Sequence, residues 1–145
     1  MTQSDKRNTQ PPQDVALIVG GGPGISASCA RLFAKNGMRV GIAARNPDKS
    51  VLCDASEPAA VELLFQHVVR DLGAPTLVVH NIDGRMAGIF RKSITEADPT
   101  MALEVLRNSA FSAFLVGQQA ARLMCENTPN SCGCLGAAGG LLREG

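Results

Sequence analysis

The sequence predicts an α/β domain built on a parallel β-sheet. Three short apolar runs, at residues 15–19, 38–44 and 76–80, have the composition of strands that are buried on both faces. Segments with helical periodicity alternate with these runs, and that alternation is typical of parallel sheets. At 145 residues, the chain has the length of one domain.

A glycine-rich turn separates the first strand from the first helix. VALIV at residues 15–19 is followed by three consecutive glycines, and helical spacing begins at Ile25. The pattern Gly20-x-x-x-Gly24-Ile25 lets the backbone approach a pyrophosphate closely, and the helix N-terminus presents N–H groups to it. A glycine cluster can also be a plain turn, but its place between a strand and a helix favours nucleotide binding.

Apolar stripes predict two further helices. The first has Ser56 as its expected N-cap, Pro58 in its first turn and Gly73 at its end. Its apolar stripe consists of Val61, Leu64, Phe65, Val68 and Leu72. The second helix runs from about residue 98 to about residue 126. Its expected buried face consists of Leu103, Leu106, Ala110, Phe114 and Leu115.

Composition excludes several classes of function. Lys and Arg total 14 against 13 for Asp and Glu, and a net charge of +1 gives no basic surface for nucleic acid or an anionic membrane. No apolar run approaches the roughly 18 residues of a membrane-spanning helix. Residues 1–14 are polar and lack the apolar stretch of a signal peptide, so we expect a disordered arm on a cytoplasmic protein. Five cysteines without a regular framework fit reduced thiols.

Residues 19–26 resemble the TGxxxGIG cofactor motif of the short-chain dehydrogenase/reductase family. Val19 stands where that motif has Thr, and Ser26 replaces its last Gly. The resemblance continues through about residue 125, in AARNPDK, CDAS, VVHNID and FLVGQQAARLM. It implies a Rossmann fold, an NAD or NADP cofactor, and hydride transfer on alcohols or ketones.

The resemblance also implies a set of cofactor-binding residues. Arg45 follows the second strand, where Arg accepts the 2′-phosphate of NADP, so NADP(H) is favoured over NAD; the alternative is a solvated loop Arg. Asp54 either meets the adenine or supports the start of the next helix. Asp83 replaces a Gly of the family pattern and argues against a close approach of the cofactor there. The full predicted set is Gly20, Gly22, Gly24, Ile25, Arg45, Asp54, Asn81 and Ile82.

No catalytic residue is predicted. The family relies on a Tyr-x-x-x-Lys pair with a Ser and an Asn, and this chain contains no Tyr. The family's Asn on the long helix aligns with Ser109, and Asn108, one position earlier, is expected to face elsewhere because a helix turns by about 100° per residue. His80 is expected to be a structural hydrogen-bonding residue.

Two departures from the family pattern concern the fold. Only residues 45–50 separate the second strand from VLCD, whereas a parallel crossover needs about a dozen residues. Residues 51–53 are therefore expected either not to be a parallel edge strand or to pair differently. After residue 126, Gly and Ala dominate and no strand is predicted. Cys125, Cys132 and Cys134 lack a fourth ligand, so no metal site is predicted.

These observations predict a partial, Rossmann-type doubly wound parallel sheet in residues 15–126, which is incomplete at its C-terminal side and lacks one crossover helix. Residues 127–145 are predicted to be an irregular tail. The favoured function is an NADP(H)-binding domain of a truncated oxidoreductase without turnover. The alternatives are a non-catalytic protein that pairs with a full-length relative, or with itself, through helix 99–126, and a splice or frame-shifted product without function.

Overall fold

The computed structural model describes residues 14–45, 51–85, 93–127 and 136–137. Its strands are β1 Val15–Val19, β2 Arg39–Ala44, β3 Val51–Leu52, β4 Leu77–His80 and β5 Gly136–Ala137. Its helices are α1 Ile25–Lys35, α2 Pro58–Asp71, α3 Pro99–Leu106 and α4 Ser112–Asn127, and the π-helical segment Arg107–Phe111 joins α3 to α4. The predicted arm, except for Asp14, and most of the predicted tail lie outside the described residues.

The five strands form one parallel sheet in the order β3-β2-β1-β4-β5. β1 is central and pairs with β2 on one side and β4 on the other. All five of its residues are buried, as the unbroken apolar run predicts for a strand covered on both faces. The α/β class and the parallel sheet are therefore confirmed.

The main core lies between the sheet and helices α2 and α4. The predicted apolar stripe of α2 is confirmed at Val61, Leu64, Phe65 and Val68, which are at most 3% exposed, while Leu72, the C-cap, is partly buried against the same core. They pack with alternate residues of β1 and with Val116 of α4. Ala16 and Ile18 point to the opposite face of the sheet, where α1 packs along β1 and β2.

β3 is a parallel edge strand, so the expectation for residues 51–53 is wrong. It pairs with β2 at Ala43↔Val51 and Ala44↔Leu52, and the Cys53 N–H donates to the Ala44 carbonyl at 3.0 Å. A crossover of about a dozen residues is needed when the chain must return along a whole strand. Here only the last two residues of β2 are paired, so the start of β3 lies beside the end of β2 and a crossover along the whole strand is not required.

A strand also occurs where none was predicted. Gly136–Ala137 pairs in parallel with Val79 and His80 of β4. Sheet hydrogen bonds come from the backbone, and a partner strand can order residues that have low β-propensity of their own. The expectation of a tail without a strand after residue 126 is therefore wrong.

The long helix begins and ends close to the predicted residues, but its predicted buried face is wrong. Asp98 caps it by accepting the Thr100 N–H at 2.9 Å. Of the predicted face, Leu115 is buried, whereas Leu103, Leu106 and Phe114 are 57–66% exposed. Together with Phe111, whose ring stacks on that of Phe114 with centroids 6.4 Å apart, these three residues form what we call the exposed apolar face.

Candidate functional site

A cleft of about 370 Å³ opens at the carboxyl ends of the strands. Its walls come from the turn after β1, the end of β2, the segment after β3, the segment after β4 and one residue of the π segment. The chain crosses from one side of the sheet to the other beside β1, and open parallel sheets bind ligands at such a switch point. The lining residues are Val19, Gly20, Gly21, Gly22, Ala43, Ala44, Arg45, Cys53, Asp54, Ala55, Ser56, Asn81, Ile82, Asp83 and Asn108.

Gly20 closes the turn that forms the floor of the cleft. Its φ of +101° is in the left-handed region, and a Cβ at this position would lie 2.2 Å from the Asn81 carbonyl oxygen. Its N–H donates to the Ala43 carbonyl at 2.9 Å. Only glycine therefore brings the ends of β1, β2 and β4 together in this way.

Ser26 ties this turn to the end of β4. Its side chain is buried, and its hydroxyl donates to the Gly20 carbonyl at 2.6 Å. The Asn81 side-chain amide donates to the same hydroxyl at 2.8 Å. Ser26, which replaces the last glycine of the motif, thus adds two hydrogen bonds and directs the side-chain amide of Asn81 toward the turn.

Arg45 and Asp54 line the cleft at the ends of β2 and β3. The Asp54 carboxylate accepts the Ser56 N–H at 3.0 Å and the Ser56 hydroxyl at 2.8 Å. These bonds hold the pKa of Asp54 below its usual value, so the group is ionised at neutral pH. Asp54 consequently orders the approach to α2 while it faces the cleft. The N-cap of α2 is Glu57, and not Ser56 as expected.

Asp83 lines the cleft beside Ile82. Its carboxylate accepts two bonds from Arg85 Nε, at 2.7 and 2.9 Å, and hydrogen bonding to Arg85 lowers its pKa. The pair is half exposed and contributes little to stability. A negative charge is thereby balanced at the position where the family has glycine.

Asn108 lines the cleft, although the helical period predicted that it would face elsewhere. The reason is the π segment Arg107–Phe111, in which side chains do not follow the α-helical rotation. The only sequence signals were the asparagine itself and its place one residue before the family position. A π segment depends on tertiary contacts that sequence periodicity does not show.

Six of the eight predicted residues line the cleft: Gly20, Gly22, Arg45, Asp54, Asn81 and Ile82. Gly24 and Ile25 do not line it, since Gly24 is the N-cap of α1 and Ile25 begins that helix with its side chain 59% exposed.

Cys53 lines the cleft with its thiol in the protonated form. Burial, with a smaller effect of Asp54, raises the pKa of its thiol to about 11, so the thiol stays protonated at neutral pH. Within the part of the chain that the structure describes, no three His, Cys, Asp or Glu side chains are grouped to hold a metal ion. Cys132 and Cys134 lie outside that part.

Comparison with known proteins identifies the family. The model of a family described as Enoyl-(Acyl carrier protein) reductase matches residues 20–138, which is most of the chain. The chain belongs to the short-chain dehydrogenase/reductase family. The match extends past residue 125, where the resemblance was expected to end, and includes β5.

One relative in this family is the short-chain dehydrogenase reductase ATA1 of Arabidopsis thaliana. It is 28% identical over 159 residues, and the match covers 97% of this chain and 56% of that protein. The chain therefore spans about half the length of the relative that it matches.

Solved structures of the family share the fold. An F189W actinorhodin polyketide ketoreductase, solved with NADPH, is 26% identical with a TM-score of 0.70, and the match covers 79% of this chain and 49% of the ketoreductase. The aldohexose dehydrogenase of Thermoplasma acidophilum, in ligand-free form, is 18% identical with a TM-score of 0.69, covering 79% of this chain and 45% of that one.

No helix among the described residues has the length and the apolar composition that are needed to cross a lipid bilayer.

Proposed function

We propose that this chain is an NADP(H)-binding domain of a short-chain dehydrogenase/reductase. The observation that carries the proposal is the glycine turn and Arg45 in the walls of one cleft at the carboxyl ends of the sheet. The family relative solved with NADPH supports the same cofactor. We also propose a cytoplasmic location.

The residues of the cleft fit a dinucleotide. A Cβ at Gly22 or Gly24 would meet nothing within 4 Å, so the backbone before α1 is open to a pyrophosphate. The Arg45 guanidinium is suited to a 2′-phosphate, and the ionised Asp54 can accept hydrogen bonds from an adenosine. A bound nicotinamide cofactor supplies hydride transfer. This chain's own residues bind the cofactor and orient it.

We propose binding without turnover for these 145 residues. They contain no tyrosine, so the Tyr-x-x-x-Lys pair on which the family relies is not among them. Cys53 and His80 do not replace the missing acid–base group, because the pKa of the thiol is raised and the imidazole is buried away from the cleft lining.

The test is a titration of the purified chain into NADPH, with NADH in parallel, followed by the fluorescence of the nucleotide. We expect NADPH to bind at least about tenfold more tightly than NADH, since one charge-assisted contact contributes about 1.5–3 kcal/mol. Equal affinities would remove the assignment to NADP(H). Failure of both nucleotides to bind would remove the proposed function.

The exposed apolar face favours a second function, an interaction with another chain. Leu103, Leu106 and Phe114 are each more than half exposed, and contiguous apolar surface of this kind marks interaction sites. We propose that this face pairs with a second copy of the chain or with a full-length relative.

We expect Phe114→Asp to convert an associated chain to a monomer in sedimentation velocity, because a charge is introduced into an apolar contact. Leu63→Asp is the matched control, since Leu63 is similarly exposed, at 53%, but belongs to α2 and not to the long helix, so its replacement should leave association unchanged. A wild-type chain that is monomeric and does not co-purify with a full-length relative would contradict the interaction.

A further inference from the structure

The π segment is held by a buried serine at its end. Ser112 is fully buried, and its hydroxyl lies 2.8 Å from the Asn108 carbonyl oxygen and 3.0 Å from the Ser109 carbonyl oxygen. A π segment changes the hydrogen-bond pairing of the helix, and a hydroxyl at this place can satisfy carbonyls whose usual partners have moved. The single hydroxyl hydrogen of Ser112 is therefore directed toward these two carbonyls, one of which belongs to the cleft residue Asn108.

His80 binds the same hydroxyl from the end of β4, behind the cleft lining. Its Nε2 lies 2.9 Å from Ser112 Oγ, and both side chains are buried. Because the Ser112 hydrogen is directed to a carbonyl, we assign to His80 the tautomer in which Nε2–H donates and the hydroxyl oxygen accepts. His80 is the last residue of β4 and immediately precedes the cleft residue Asn81. One hydrogen-bond chain thus runs from β4 through Ser112 to the carbonyl of Asn108.

A second contact joins the segment after β4 to the π segment. Gly84 is buried against the π segment, and a Cβ there would lie 2.7 Å from Ser109 Cβ and 2.9 Å from the Val105 carbonyl oxygen. The Arg107 ion pair with Glu57 also reaches the segment, but both side chains are about half exposed, and such pairs contribute little. Among the described residues, the His80–Ser112 bond accordingly joins β4 to the end of the segment through two buried side chains.

We propose that His80 and Ser112 are positioning residues, which hold the π segment so that Asn108 forms part of the cleft wall and contacts a dinucleotide bound there. The contact with the nucleotide rests on the proposed function. The position of the segment does not, and it can be tested without a nucleotide.

The first arm of the test is amide hydrogen exchange of the nucleotide-free chain. Ser112→Ala is expected to raise exchange at residues 107–112 at least about tenfold and to leave α2 unchanged, because the tie to β4 is lost. Ser109→Ala is the matched control. The Ser109 hydroxyl donates to the Val105 carbonyl at 2.5 Å, within the helix itself, so its loss leaves the tie to β4 intact. Unchanged exchange in Ser112→Ala would overturn the positioning role.

The second arm is a double-mutant cycle on NADPH affinity. We expect Ser112→Ala to weaken NADPH binding about tenfold in the wild-type chain and less than about twofold in an Asn108→Ala background. In that background the Asn108 side chain, which the loss of the Ser112 hydroxyl would misplace, is already absent. Equal weakening in both backgrounds would show a merely structural effect and overturn the proposal.

Two further results keep the test decisive. His80→Gln, whose amide can still donate to Ser112, should keep NADPH affinity within about threefold, whereas His80→Leu should behave like Ser112→Ala. If the Ser112 variant does not fold, this pair decides, and equal losses in both would overturn the proposal. If the wild-type chain binds no nucleotide, the proposed function fails, and hydrogen exchange of the histidine variants still decides the position of the segment.

Discussion

Gly20→Ala is expected to lower the free energy of unfolding by at least about 3 kcal/mol. The new Cβ would lie 2.2 Å from the Asn81 carbonyl oxygen and 2.5 Å from its carbonyl carbon. Backbone atoms cannot move aside as the end of a flexible side chain can, so β4 would have to shift from β1. The φ of +101° adds conformational strain for any residue with a side chain.

Urea denaturation of the variant and the wild type measures this loss. Gly22→Ala is the matched control, because it lies two residues away in the same turn and its Cβ would meet nothing within 4 Å. Its unfolding free energy should stay within about 0.5 kcal/mol of wild type, while NADPH binding weakens if the backbone there approaches a phosphate. A Gly20→Ala chain as stable as wild type would contradict the described turn.

Arg45→Glu is expected to weaken NADPH binding about 100-fold and NADH binding less than about threefold. Under the proposed function, the substitution removes a charge-assisted contact with the 2′-phosphate and adds repulsion, together about 2.7 kcal/mol, and NADH has no phosphate at that position. Isothermal titration with both nucleotides measures the two affinities.

Arg39→Glu controls for the change of net charge. Arg39 is the exposed first residue of β2, at the opposite end of the strand from Arg45 and about 20 Å away at the rise of an extended chain. The Arg39→Glu substitution should leave the affinities for NADPH and NADH within about twofold of wild type. If Arg45→Glu weakened the binding of NADPH and of NADH equally, Arg45 would not contact the 2′-phosphate.

The parts of the fold that the sequence predicts well are those governed by local pattern. The bounds of β1 agree with the apolar run, and α2 buries the stripe that its periodicity indicates. β5 was missed because Gly136 and Ala137 carry no strand signal, and their pairing depends on β4. β3 was doubted because a general requirement for long crossovers assumes pairing along whole strands.

The candidate site likewise contains some residues that local sequence pattern indicates and others that only tertiary contacts bring into place. The sequence indicates the glycine turn and Arg45 directly, because their residue types and their places beside strands carry the chemistry. Ser26 was recognised only as a departure from a motif, although it joins Gly20 to Asn81. Asn108 was assigned the wrong direction, because a regular helix was assumed across residues 107–111.

The fold class, the family resemblance and the position of the glycine turn could be derived from the amino-acid sequence, since each follows from residues that are adjacent in the chain. The side chains that meet across the cleft, and the face of the long helix that stays exposed, became evident from the three-dimensional structure. These features depend on contacts between distant parts of the chain: the His80–Ser112 bond joins residues 32 positions apart, and β5 is paired only with β4, so no local pattern encodes them.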